Sequence, residues 1–185
     1  MNTHDALTTR RTAHIWTDTP VPTQVIERSL HAAHMAPCHR LTWPWRFTLP
    51  GPDAREALFT LGVTLKAARL NVPVDDTFRA KFVEKLRNPA LVVVSQQLVD
   101  DPMRFEEDYA ACACAIQNLC LSVHADGFHS KWSTGGLTRH EDTYETLHID
   151  PSVERIIGFV WIGVPSKQPN PPNRPEIAAY IRHVP

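Results

Sequence analysis

The sequence predicts one domain in which helices pack around central β-strands. Its 185 residues are 43% hydrophobic and 21% charged, which is ordinary for a globular domain with a sizeable core. Two continuous apolar runs, 90–95 and 156–164, predict central strands, and the first run is typical of a strand buried on both faces. Prolines and glycines separate these runs from segments whose apolar residues recur at helical spacing.

The first fifty residues predict two helices and a strand. Residues 7–11 are expected to end a short first helix, and a proline that is tolerated in a first turn opens a second helix over 22–35. A turn over 37–42 then leads to a strand that begins after Pro44. That strand should place three apolar residues on one face, namely Trp45, Phe47 and Leu49.

The middle of the chain predicts two more helices. Asp53 is expected to cap a helix that ends near Asn71, and Pro73 breaks it. A second helix is predicted over 75–86, where two phenylalanines are four residues apart. The buried side of the first of these helices should carry Leu58, Leu61 and Leu65.

The second half begins with the longest helix, predicted over 102–126 and stopped by Gly127. Its many Ala and Cys residues would let another helix approach closely, so it is a candidate central or dimer-interface helix. Residues 128–136 are predicted to form a loop rich in hydrogen-bond donors, and 140–147 a short helix. A proline-rich tail follows the last strand and is expected to end with a helical turn over 176–181.

Composition argues against several classes of protein. A net charge of −1 gives no overall field that would attract nucleic acid or an anionic membrane. We expect no signal peptide, no membrane span and a cytoplasmic location. The His31 and His34 pair has no carboxylate-rich motif beside it, so we expect no metal site. The four cysteines are interpreted as reduced core residues: Cys38, Cys112, Cys114 and Cys120.

Residues 10–14 hold the candidate binding motif, Arg-Arg-Thr-Ala-His. A guanidinium group presents a planar fork of donors that matches two phosphate oxygens, and Thr12 adds a hydroxyl. The alternative is an ordinary basic surface at a helix end, which the motif alone does not exclude.

Four segments in order resemble the nitroreductase family of FMN enzymes, over residues from about 7 to 183. Arg10-Arg11-Thr12 resembles the family's Arg-Arg-Ser signature. The other three matches are Ala36-Pro37-Cys38-His39 with Trp43-Pro44-Trp45-Arg46-Phe47, the helix segment Gln117-Asn118-Leu119 with Gly127 and Trp132, and the strand Ile157-Gly158-Phe159 with Ile162-Gly163-Val164-Pro165.

The resemblance implies an α+β fold with a central mixed or antiparallel sheet flanked by helices, in an intertwined homodimer. Residues 1–185 would form one nitroreductase-like domain, with a segment from about 166 to 185 extending toward the partner. FMN would bind in the subunit interface, with the partner supplying His39. The residues implied to hold FMN are Arg10, Arg11, Thr12, His39, Trp132, Ser133, Thr134 and Arg174.

The resemblance also implies an NAD(P)H oxidoreductase that reduces nitroaromatic, quinone or similar flat acceptors by ping-pong hydride transfer. The flavin would carry the chemistry, so no side chain is assigned as catalytic. Thr12 replaces the family's Ser and keeps the hydroxyl, and three further residues depart from the family pattern, namely His14, Cys38 and Trp43. They leave open a flavin carrier without catalysis, and a related reductive dehalogenase or flavin-cleaving enzyme is a further alternative.

Overall fold

The computed structural model describes residues 1–184 and places helices on both faces of a four-stranded antiparallel sheet. The strands are β1 (Trp45–Thr48), β2 (Ala90–Gln97), β3 (His129–Ser133) and β4 (Glu154–Gly163), in the spatial order β1-β2-β4-β3. The helices are α1 (Thr3–Thr9), α2 (Thr23–His34), α3 (Pro52–Leu70), α4 (Asp76–Ala80), α5 (Pro102–Ala125) and α6 (Glu141–Leu147). The predicted α+β class is confirmed.

The two predicted central strands, β2 and β4, pair with each other and divide the core into two layers. Successive side chains of a strand point to opposite faces. Val92 and Val94 therefore pack against the layer that contains α2 and α5. Leu91 and Val93 face the opposite layer, which contains α3 and α6. This burial on both faces confirms the interpretation of the continuous apolar run.

The prediction of a loop over 128–136 is wrong for its first half. Residues 129–133 form the edge strand β3, in a register that pairs His129 with Gly163 and Ser133 with Phe159. The five residues are His-Ser-Lys-Trp-Ser, a polar segment without apolar alternation. Backbone pairing with β4 makes this segment a strand. Nothing in the local sequence identifies a pairing partner about thirty residues away.

Several predicted boundaries also require correction. The expected helix over 75–86 is divided into α4 and a π-helical turn, Val83–Arg87. The cap of α3 is Gly51, so Asp53 lies inside the first turn instead of capping it. Strand β1 ends at Thr48, which leaves Leu49 exposed. Helix α1 ends at Thr9, two residues earlier than expected.

Helix α5 packs on the sheet and against α2, as its small residues suggested. Cys112 and Cys120 are buried there, and burial raises the pKa of the Cys112 thiol to about 12. Cys38 is half-buried. Cys114 is exposed, which corrects its assignment to the core, because it lies on the face of α5 that no other element covers.

Segment 166–184, after β4, is exposed apart from a partly covered Pro169. It contains the 3-10 turn Ile177–Tyr180, within the predicted range of 176–181. Residue 185, the end of the segment expected to reach a partner, lies outside the described residues. Among the described helices, none is long and apolar enough to cross a bilayer.

Trp132, on the edge strand, is fixed by a bulge in β4. Val94 pairs with Gly158 and Ser95 with Ile156, so Ile157 has no residue opposite it. The indole N–H of Trp132 donates to the Ile157 carbonyl at 3.3 Å. The indole ring lies against the α-carbon of Gly158, where a β-carbon would overlap the indole nitrogen. Glycine at 158 is therefore required for this placement of Trp132.

We predict that Gly158→Ala lowers the free energy of unfolding by about 1–3 kcal/mol, because the new methyl group must displace the indole of Trp132. Urea denaturation followed by far-UV circular dichroism measures the change. Gly136→Ala is the matched control, since nothing lies within 4 Å of its added β-carbon. Equal stability of the two variants would contradict this account.

Candidate functional site

The N-terminal segment lies along the edge strand β3. Helix α1 ends at Thr9, and Thr12 then forms a parallel bridge with Ser130. Arg10 and Arg11 are therefore outside the helix and beside the start of β3, and both are half-buried. A guanidinium nitrogen of Arg11 donates to the carbonyls of Thr8 and Arg10, each at 2.8 Å, which fixes that side chain at the helix end.

Two histidines enlarge this basic cluster beyond what the sequence indicated. The rings of His124, on α5, and His129, on β3, lie 6.0 Å apart in a T-shaped arrangement. The Nε2 atom of His124 is 2.8 Å from the Thr9 hydroxyl. The Nδ1 atom of His129 is buried and has no hydrogen-bond partner among the described residues. Burial, followed by the charge of Arg10, lowers the pKa of His124.

The cluster lacks a nearby counter-charge. Within the described chain, no carboxylate oxygen lies within 4.0 Å of Arg10 or Arg11. The pKa of His129 is lowered first by burial, then by His124 and then by Arg10. Nearby positive charges therefore oppose protonation of this ring. Two half-buried guanidinium groups without a carboxylate partner are the arrangement expected of a site for a phosphate or another anion.

Further along β3, Lys131 and Ser133 line a cleft of about 290 Å³. Gly62 and Lys66 of α3 and residues of the π-helical turn form its other side, and Gly135 and Gly136 lie at its rim. Burial, and then the charge of Lys85, lowers the pKa of Lys131. The apolar part of the lining is Phe82, Leu86, Leu137, Phe159 and Trp161.

His14 lies near the cleft. The residue is mostly exposed, and its pKa is lowered by partial burial and then by the nearby charge of Lys131. Positive charge is therefore present at two places along β3, with Arg10 and Arg11 beside its start and Lys131 in the cleft. A phosphate-bearing planar ligand needs such a combination of anion-binding groups and an apolar cleft.

The three predicted site residues at the end of β3, Trp132, Ser133 and Thr134, lie in three different environments. The Ser133 hydroxyl faces the cleft, accepts a hydrogen bond from the Trp161 indole at 2.9 Å and donates to the Phe159 carbonyl. Trp132 points to the other face and is 37% exposed. Thr134 lines a neighbouring depression with Tyr109 and Arg155.

Two predicted residues lie away from this edge in the single chain. His39 is near the start of α5, with its Nε2 atom 3.9 Å from a Glu107 carboxylate oxygen. The α5 residue near Arg10 is His124, seventeen positions later, or roughly 25 Å along the helix axis. Arg174 is exposed in the tail. The assignment of His39 to a partner's site stays a prediction, as does the role of Arg174.

The sequence analysis missed most of the cleft. Lys66, Lys85, Phe159 and Trp161 come from three different elements, and no short motif links them. Recognition of β3 as a strand would have placed Lys131 and Ser133 on one face by their two-residue spacing. Nothing local marked His124 and His129 as neighbours of Arg10.

Residues 7–164 match the Nitroreductase family model, which covers most of the chain. The chain belongs to the nitroreductase family. It is similar to the "Putative NAD(P)H nitroreductase YfhC" of Bacillus subtilis (strain 168). The two sequences are 27% identical over an aligned region that covers 94% of this chain and 89% of the relative. Family membership supports an FMN-dependent oxidoreductase in general.

Solved structures show the same nitroreductase-like fold. The nitroreductase-like family protein from Bacillus cereus superposes with a TM-score of 0.81 at 23% identity, covering 100% of this chain and 96% of that one. A second is the "putative nitroreductase in complex with fmn" from Desulfovibrio desulfuricans, with a TM-score of 0.74 at 20% identity and coverage of 100% and 98%. Similarity at this level of identity establishes the fold.

The histidine cluster predicts how stability of this nitroreductase-family protein depends on pH. Folding lowers the pKa values of His124 and His129 below their ordinary 6.5, so the unfolded chain binds more protons near pH 6. The free energy of unfolding should therefore fall as the pH drops from about 7.5 to about 5.5. Thermal denaturation at several pH values measures it, and added inorganic phosphate should restore part of the loss.

His124→Gln should flatten this pH dependence, because it removes one of the two depressed groups. His31→Gln, exposed on α2, is the matched control and should retain the slope of the unaltered protein. The same slope in both variants would remove His124 from the cluster.

Proposed function

We propose that this protein is an FMN-dependent NAD(P)H oxidoreductase that reduces nitroaromatic, quinone or similar flat acceptors by ping-pong hydride transfer. The observation that carries the proposal is the presence of cations without carboxylate partners at two places along β3: Arg10 and Arg11 beside its start, and Lys131 in the apolar cleft. The anionic group and the planar ring of one ligand would therefore bind at separate positions along the same strand. Family membership supports the flavin, and the names of the relatives suggest the nicotinamide reductant.

The residues present fit FMN at both of its ends. Arg10 and Arg11, with the hydroxyl of Thr12, would hold the phosphate, because their cationic donors lack a carboxylate partner. The buried Nδ1 atom of His129 supplies a further unpaired polar group beside them. The backbone at 135–136 and the Lys131 ammonium would hold the polar edge of the ring.

When bound, FMN supplies the hydride and electron chemistry. The chain would orient the ring and stabilise negative charge near it. Lys131 suits this second role because it is a cation in a partly desolvated position, where its field is weakly screened. The packed aromatic wall of Phe159 and Trp161 excludes water from one side of the cleft.

We also propose that two copies form a homodimer through α5. Its uncovered face carries small or polar exposed residues at helical spacing, namely Ala110, Cys114 and Gln117. A paired α5 could bring the His39 of one copy toward the Arg10 of the other if the helices run antiparallel, because the two residues lie at opposite ends of the helix. The exposed segment 166–184 would extend over the partner, where Arg174 could reach the phosphate.

The purified protein tests the proposal directly. It should be yellow, release a compound that chromatographs as FMN, and lose its visible absorbance when mixed anaerobically with NADPH or NADH. Absorbance should return when a nitroaromatic or quinone is added. Bound FMN that never bleaches would instead favour the flavin carrier.

Arg10→Ala should weaken FMN binding by about ten- to a hundred-fold, which is the usual effect of losing one charge-assisted contact of about 1.5–3 kcal/mol. Quenching of FMN fluorescence measures the dissociation constant. Arg69→Ala is the control, since this arginine is exposed at the end of α3. Unchanged affinity in Arg10→Ala would remove that residue from the site.

Cys114→Arg should convert the dimer to a monomer, because it places a bulky cation on the proposed α5 interface. Sedimentation velocity measures the mass, and circular dichroism checks that the helices persist. Cys114→Ser, of nearly unchanged size, should stay dimeric. A dimeric Cys114→Arg variant with normal FMN content would exclude this face of α5.

A further inference from the structure

Within residues 1–184, the side chains of helix α1 make one hydrogen bond outside the helix and its N-cap. The Thr9 hydroxyl lies 2.8 Å from the Nε2 atom of His124, in the last turn of α5. The other side-chain hydrogen bonds of α1 stay within the helix or its cap, and Ala6 is its one buried residue. The bond between Thr9 and His124 is therefore the side-chain link that joins the end of α1 to the central helix.

The direction of this bond follows from a second contact of the same hydroxyl. The Thr9 hydroxyl lies 2.6 Å from the Asp5 carbonyl, which can only accept, so its proton is donated there. The Thr9 oxygen therefore accepts from His124, and Nε2 of that ring carries a proton. Burial, followed by the charges of Arg10 and then Arg11, lowers the pKa of His124, so the ring is uncharged at neutral pH. His124 acts here as a neutral N–H donor.

Thr9 directly precedes the arginine pair, and a second fixed point directly follows it. Arg10 caps α1, and its backbone N–H donates to the Ala6 carbonyl at 3.2 Å. Thr12 is held by its backbone bridge to Ser130. The two arginines therefore lie on a short stretch of chain that is attached to α5 at one end and to β3 at the other.

Arg10 depends on this attachment more than Arg11 does. A guanidinium nitrogen of Arg11 already donates to two main-chain carbonyls, which fixes that side chain. In the part of the chain that the structure describes, the Arg10 guanidinium has no carboxylate oxygen within 4.0 Å. Its position is therefore set by its backbone. A backbone that is fixed before the ligand arrives lowers the entropy cost of binding.

We infer that Thr9 and His124 are positioning residues of the phosphate site, which hold the end of α1 so that Arg10 is in place before FMN binds. The inference rests on the proposed function and adds two residues that act through Arg10. Loss of their hydrogen bond should weaken binding of the phosphate end of FMN and leave the ring end unaffected. The reason is that the cleft at Lys131 is lined by β3, α3 and the π-helical turn, and not by α1.

The test compares FMN with riboflavin, which has the same ring and no phosphate. Thr9→Val keeps the size of the side chain and removes the hydroxyl. It should weaken FMN binding by about three- to tenfold, the usual effect of one neutral hydrogen bond, and leave riboflavin binding unchanged. Thr8→Val is the matched control, because the Thr8 hydroxyl donates to the His4 carbonyl within α1 at 2.8 Å and makes no hydrogen bond to α5. Quenching of flavin fluorescence measures both dissociation constants.

Variants of His124 test the other side of the bond. His124→Leu should have the same effect as Thr9→Val, and the double variant should lose no more than either single variant, because all three remove one bond. His124→Gln places an amide N–H donor near the position of Nε2 and should retain most of the FMN affinity. A histidine needed only for packing would be replaced better by leucine than by glutamine.

Two outcomes with the flavins would overturn the inference and leave the proposed function intact. One is equal FMN affinity in Thr9→Val and Thr8→Val. The other is an equal loss of FMN and riboflavin binding in Thr9→Val, which would indicate a general loosening of the fold.

Inorganic pyrophosphate separates this inference from the proposed function, because it needs no flavin. If the unaltered protein binds neither flavin, the proposed function fails. A rise in Tm with added pyrophosphate that is smaller in Thr9→Val than in Thr8→Val would then still support the positioning role. Equal changes in Tm in the two variants would overturn it.

Discussion

The backbone pairing of β3 with β4 is the constraint on which the candidate site depends. β3 is short and polar, and contributes little to the hydrophobic core. Its hydrogen bonds to the buried strand β4 hold it in one register, and that register decides which side chains face which side. A shift of one residue would turn Lys131 and Ser133 away from the cleft and place Trp132 in it.

The same pairing explains how an edge strand avoids uncontrolled association. The free side of β3 is partly covered by the N-terminal segment, through the bridge between Thr12 and Ser130. The charged and polar residues of β3 discourage pairing with another sheet. The segment that protects the edge also carries Arg10 and Arg11, so sheet protection and the proposed anion site share one short stretch of chain.

Positive charges at this edge of the sheet make the folded protein less stable when no anion is bound. Burial lowers the pKa values of His124, His129 and Lys131, and nearby positive charges lower them further: Arg10 acts on both histidines and Lys85 on Lys131. The folded chain therefore holds repulsion that an anion would relieve. Such an arrangement favours binding at the expense of stability without a ligand, which is common at functional sites.

The sequence by itself determined the main elements and the family. Continuous apolar runs specified β2 and β4, helical spacing and prolines placed α2, α3 and α5, and four short motifs in order indicated the family, because each of these signals is local. Only the tertiary structure decided that residues 129–133 form a strand, and that three distant lysines share a cleft with Phe159 and Trp161. These features arise from pairing and packing between residues far apart in the chain, and a single sequence does not encode them in any local pattern.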